Sequence, residues 1–160
     1  MSTPEVSPLA RALGSLPTGL YVVSSRSGER PLGFIGSFVM QQGIAPPVVS
    51  VAVGRDREHL KAIRESGRFA LSILDEESSK VMSAFFKKYD GDQTPFDHVE
   101  HSDSPSGLPI LTGALAWLEC KLIGEHELDD HIVVFGTVEA GDKPREGSPS
   151  IHLRKNGLGY

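Results

Sequence analysis

Two adjacent prolines, Pro46 and Pro47, stop any helix before the apolar run Val48-Val49-Ser50-Val51-Ala52-Val53, which reads as a strand in the interior of a sheet. The stretch ahead of it, residues 31–47, is punctuated by Gly33, Gly36 and Gly43 and carries Ser37, Gln41 and Gln42. Read alone, it is a loop with many free backbone N–H groups. Glycine permits close approach to the main chain, so such a loop suits a planar, polar-edged ligand whose carbonyl and ring-nitrogen atoms accept from the backbone. It would serve equally as a plain hairpin connection between two strands.

The flanking sequence predicts five more strands: residues 20–24, residues 69–74, two long runs at 115–124 and 131–140, and a short last one at 150–153. Three short helices are predicted. The first covers residues 7–14, with Ser7 as cap and Pro8 in the first turn. The second covers residues 58–66, with Asp56 as N-cap and Gly67 as the stop. The third, near residues 77–88, places Val81, Met82, Phe85 and Phe86 at helical spacing and reads as core packing. Residues 89–108 read as a polar, mobile connection. Six strands without strand–helix–strand alternation favour a mainly β fold, a six-stranded antiparallel Greek-key barrel with short flanking helices, over a doubly wound sheet.

A chain of 160 residues is read as a single domain spanning residues 1–160. No apolar run approaches the ~20 residues a spanning helix needs, and Met1 leads into polar residues and Pro4, so a cytoplasmic protein without a membrane segment is expected. The net charge of −5 argues against nucleic acid as a partner but leaves room for a local basic patch. One candidate patch is Arg55 and Arg57, beside a predicted helix start whose free N–H groups favour an anion; the other reading is two solvated arginines. The lone Cys120 lies in an apolar run and reads as a buried thiol. His98 and His101, three apart in a polar loop without a third ligand nearby, do not make a metal site.

The sequence contains no G-x-G-x-x-G after a strand, no G-x-x-x-x-G-K-[ST], no G-x-S-x-G, no H-E-x-x-H and no C-x-x-C. What remains is an enzyme whose cofactor performs the chemistry while the protein binds and orients it. Gly36-Ser37-Phe38-Val39-Met40-Gln41 before Pro46-Pro47 begins a longer pattern. It continues with Arg55-Asp56-Arg57, Ser66-Gly67-Arg68-Phe69, Pro109-Ile110-Leu111, Asp130-His131, and His152 with Arg154-Lys155. In this order and spacing the chain resembles the flavin reductase-like family of FMN-binding split barrels, in particular the flavin reductase module of cyanobacterial-type flavodiiron proteins.

The resemblance implies that Ile35, Gly36, Ser37, Phe38 and Gln41 line the flavin ring and that Arg55, Asp56 and Arg57 hold its phosphate. It also implies that His131 lies near the reactive face and that the tail at Tyr160 closes the site. From the residues alone, His131 beside Asp130 could face a cleft or end a sheet edge. The implied function is hydride transfer from NADH or NADPH to FMN, with FAD possible, in a homodimer serving a partner monooxygenase or other acceptor. The alternative is a flavin-binding electron carrier with no nicotinamide step of its own. The sequence departs from the common pattern at Ile35-Gly36-Ser37-Phe38, where many members have Thr-Ala-Ser-Ser, at Ser72, where many have Asn, and at Asp129-Asp130, where a Gly precedes the His.

Overall fold

The computed structural model describes residues 4–159. The chain opens with α1 (Pro8–Gly14), where the Ser7 hydroxyl accepts from the Ala10 N–H at 3.2 Å and Pro8 occupies the first turn. Two hairpins follow, β1 (Tyr21–Ser27) with β2 (Arg30–Gly36), and β3 (Val39–Ile44) with β4 (Pro47–Gly54). Residues 31–47 are therefore not the loop their glycines and prolines suggest; they are two strands joined at Ser37-Phe38. The sheet tolerates the prolines because Pro31 lies on β2, which has a neighbour on one side only, and Pro47 is the first residue of its strand. Gly43 sits where the β3–β4 register shifts.

After β4 come α2 (Glu58–Ser66), stopped by Gly67 at φ +68°, and β5 (Arg68–Ile73). The N-cap of α2 is Arg57, not Asp56, and no side chain bonds the helix start. The third predicted helix is broken into a 3₁₀ turn (Ser78–Val81) and α3 (Met82–Phe86). Its first turn is pre-empted by local bonds: the Asp75 N–H donates to Ser78 Oγ at 2.9 Å and the Ser78 N–H donates to Asp75 Oδ1 at 2.8 Å. Inside the expected connection, a ribbon of β6 (His101–Asp103) and β7 (Pro109–Leu111) forms. The chain then runs through the long pair β8 (Ala116–Glu127) and β9 (His131–Asp142). The last predicted strand reduces to one bridge, Thr18 with His152.

The main sheet has seven strands rather than six, in the order β2-β1-β5-β8-β9-β4-β3, with every neighbouring pair antiparallel. Its two end strands, β2 and β3, are separated in sequence only by Ser37 and Phe38. A sheet whose ends are tied by so short a link must curl until its edges nearly meet, which makes it a barrel split along one seam. The interior holds Val23, Val51, Val53, Phe69, Leu71 and Val134. The neighbouring residue Val22 points the other way, into a second cluster with Leu74, Phe96 and Leu111. Among the described residues, no helix is long and apolar enough to cross a membrane.

Candidate functional site

Beside the seam, a cleft of about 490 Å³ opens between residues 34–38, the end of β4 and the C-terminal tail at residues 152–156. Its apolar lining includes Phe34, Ile35, Phe38, Met82 and Phe86; its charged residues are Arg57, Arg154 and Lys155, with no Asp or Glu among the described residues that line it. None of these three cations has an ion-pair partner among the described residues. A chain of net charge −5 that leaves three cations unpaired on one aromatic-walled cleft presents an anion site next to a flat apolar surface. The Arg57 guanidinium lies 5.2 Å above the Phe34 ring and that of Arg154 lies 4.8 Å above the Phe38 ring. Because β2 is an end strand, half of its backbone donors and acceptors face away from β1.

The tail wall is mounted on α1. The Thr18 N–H donates to the His152 carbonyl at 3.0 Å and the His152 N–H returns the bond at 2.7 Å. The Arg154 N–H donates to Gly14 O at 3.1 Å and the Gly157 N–H to Ala10 O at 2.8 Å. Glycine is required at both contacts: a Cβ on Gly14 would lie 2.1 Å from the Arg154 carbonyl oxygen, and one on Gly157 would lie 2.2 Å from the Leu13 Cβ. Glycines thus bring two backbones together and set the two tail cations at the cleft.

Beneath the opposite wall, His59 Nε2 meets the Gly33 carbonyl at 3.1 Å, and its ring lies 4.9 Å from that of Phe34. The carbonyl accepts, so Nε2 carries the proton and Nδ1 is left buried without a partner among the described residues. Burial, and then the Arg57 charge, push this imidazole below its ordinary range. Cys120 is fully buried, and burial pushes its thiol up to about 12, so it offers no nucleophile.

Of the residues singled out by sequence, Ile35, Gly36, Ser37, Phe38 and Arg57 line the cleft. A Cβ on Gly36 would meet Val23 Cγ2 at 2.9 Å, so the missing side chain makes room for the packing beneath the strand. Gln41 lies elsewhere: its Nε2 donates to Gly43 O at 3.0 Å, and it borders a separate recess of about 350 Å³ with Tyr21, Leu71 and Val138. Arg55 turns away from the cleft and clamps the β8–β9 turn, donating to the Leu128 and Asp129 carbonyls and the Glu127 carboxylate. Asp56 is exposed and does not line the cleft.

His131 stands behind the wall, its ring edge-on to Phe38 at 5.8 Å, and its Nδ1 is 2.9 Å from Asp130 Oδ1. The His131 bond holds the Asp130 carboxyl below the usual carboxylate range. Tyr160 lies outside the described residues. Sequence reasoning gave no site role to Arg154 and Lys155, although a basic pair in an otherwise weakly charged tail was a usable signal. Val81, Met82 and Phe85 pack against the second core cluster as their spacing predicts, but Met82 also lines the cleft, and Phe86, read as core, is 68% exposed and lines it too.

Residues 13–157 match the family described as "Flavin reductase like domain". The chain is 35% identical over 156 residues to diflavin flavoprotein A 1 of Synechocystis sp., covering 96% of this chain and 27% of that protein. It thus spans about a quarter of the length of the curated relatives it matches. Among solved structures, it superimposes on a homologue of nitrilotriacetate monooxygenase component B from Mycobacterium thermoresistibile with TM-score 0.83 and 29% identity, over 92% of this chain and 82% of that one. The NADH:FAD oxidoreductase of Streptomyces globisporus gives TM-score 0.83 and 26% identity over 96% and 95%, and that enzyme is also known in complex with NAD and FAD fragments.

Proposed function

Because this chain belongs to the flavin reductase-like family, we propose that it binds FMN in the cleft beside the seam and transfers hydride to it from NADH or NADPH. The observation that carries this reading is the pairing, in one cleft, of an aromatic wall with cations that no carboxylate of the described residues neutralises. The lining suits the ligand on three counts. Phe34, Ile35 and Phe38 offer apolar surface to a tricyclic ring. The outward backbone groups of β2 and the Ser37-Phe38 link offer donors and acceptors to its polar edge. Arg57 offers a charged fork to its phosphate.

A bound flavin supplies the hydride-accepting chemistry. The protein's share is to bind, orient and exclude water. Arg57 neutralises the phosphate, and the apolar walls keep solvent from the ring face. His131, its Nδ1–H held by Asp130, packs edge-on behind Phe38 and fixes that side of the wall. FAD would fit the same chemistry. We propose a cytoplasmic homodimer that feeds a monooxygenase or another acceptor, its contact covering Met40 and Ile44, which are 65% and 86% exposed on the end strand β3.

The likeness to diflavin flavoproteins, of which this chain spans only part, favours one second reading: a module that carries electrons without a nicotinamide step. Prolonged incubation with excess FMN and either NADH or NADPH separates the two. Sustained oxidation of the nicotinamide is expected. Bound FMN without any such turnover would select the carrier, and no FMN binding would refute both.

A further inference from the structure

The three cleft cations come from two separate stretches of chain. Arg57 covers the Phe34 ring, whereas Arg154 covers the Phe38 ring and Lys155 follows it on the tail. FMN carries a single phosphate, which the flavin reading above gives to Arg57. The tail pair is then surplus to the flavin.

That surplus is built rather than incidental. The backbone carrying Arg154 is held by four backbone bonds, between Thr18 and His152, from Arg154 to Gly14 and from Gly157 to Ala10. The two glycines at these contacts admit no side chain. The guanidinium donors of Arg154 and the ammonium of Lys155 make no hydrogen bond or ion pair with any of the described residues. They face a cleft that no described carboxylate lines. A planar fork next to an ammonium matches adjacent phosphates, which accept two parallel bonds from the first and a point charge from the second.

On the flavin reading above, we propose that Arg154 and Lys155 form a second anion subsite that takes the pyrophosphate of the nicotinamide dinucleotide. Arg57 serves the flavin phosphate. Selectivity for a dinucleotide hydride donor then resides in the tail, while the wall residues 34–38 serve the ring.

ADP, which carries the pyrophosphate without the nicotinamide or any flavin, is the probe. Calorimetric titration of flavin-free protein should show ADP binding in the wild type, weakened about tenfold or more in the Arg154→Gln, Lys155→Gln double variant. The charge-preserving swap Arg154→Lys with Lys155→Arg should restore most of it, which loss of the fold could not explain. In FMN-loaded protein, the double variant should lower the rate with NADH relative to that with 1-benzyl-1,4-dihydronicotinamide, a donor without phosphates, by a similar factor. Equal ADP affinity in wild type and double variant, or no ADP binding by the wild type, overturns the subsite. A loss seen for FAD relative to FMN, with the two donors unaffected relative to each other, overturns its assignment to the nicotinamide dinucleotide. Failure to bind FMN alongside the expected ADP result would remove the flavin reading and leave the pyrophosphate subsite standing.

Discussion

Gly14→Ala changes one hydrogen to a methyl group at the end of α1, and helix propensity alone makes it stabilising by up to about 1 kcal/mol. The tail contact reverses the sign. The added Cβ would lie 2.1 Å from the Arg154 carbonyl oxygen, and because both partners are backbone, no rotamer change relieves the overlap. The tail must lift, breaking the Arg154–Gly14 and Gly157–Ala10 bonds and, where peeling reaches the end of the tail bridge, both bonds between Thr18 and His152. Four backbone hydrogen bonds at about 0.5–1.5 kcal/mol each amount to about 2–6 kcal/mol, which exceeds the propensity gain. Amide hydrogen exchange reads this locally: the Arg154 and Gly157 amides should exchange about tenfold faster or more, while the amides within α1 change little. ADP and NADH affinity should fall with the tail. Unchanged exchange at Arg154 and Gly157 in a folded variant would show that the tail does not depend on this contact.

Other substitutions separate residues that sequence places side by side. Arg57→Ala should weaken FMN about tenfold or more and riboflavin far less, whereas Arg55→Ala should leave that ratio as it is, because Arg55 bonds the β8–β9 turn; equal losses in both variants by fluorescence titration would contradict this assignment. His131→Asn should slow anaerobic reduction of bound FMN more than it weakens FMN binding, and an unaltered reduction rate would confine His131 to packing behind Phe38. The folded state holds the His59 imidazole below its ordinary value of 6.5, so it binds that proton less readily than the unfolded chain. Its contribution is therefore complete above pH 6.5 and declines as the pH falls below it, and His59→Gln should flatten thermal stability between pH 7.5 and 5.5. The bonds from Ser78 to Asp75, backbone first, lower that carboxyl from 3.8 to about 2, so its contribution is present above pH 3.8 and lost as the pH falls through about 2; Asp75→Asn should remove this part of the acid transition measured by circular dichroism.

Strands whose identity rests on local apolar runs were legible: residues 69–74 and 131–140 lie within or beside β5 and β9, and the bounds of α2 match. What was not legible depends on partners distant in sequence. Glycine and proline marked residues 31–47 as a loop, because nothing local shows that β1 pairs with β2 or that a sheet end tolerates Pro31. Arg55 and Arg57 look equivalent in sequence, and only the turn at residues 127–129 takes Arg55 out of the cleft. The purpose of Gly14 and Gly157 is equally non-local, since each is explained by the other segment's backbone. The resemblance pointed to residues 35–38 but also to Gln41, which pairing in β3 places at another recess. Arg154 and Lys155 stand out as a basic pair in the sequence, but only the fold places them at the cleft.

On the proposed function, this cleft holds a flavin and brings a nicotinamide to it. The most direct test is a stopped-flow experiment under argon: FMN-loaded wild type and Arg57→Ala, Arg154→Gln protein, mixed with NADH or NADPH while the visible flavin absorption is followed. Stoichiometric bleaching is expected in the wild type with at least one donor, and loss of donor saturation together with FMN release in the double variant. Bound FMN that keeps its oxidised spectrum with both donors, or bleaching equally fast and equally saturable in the double variant, would contradict the proposed function.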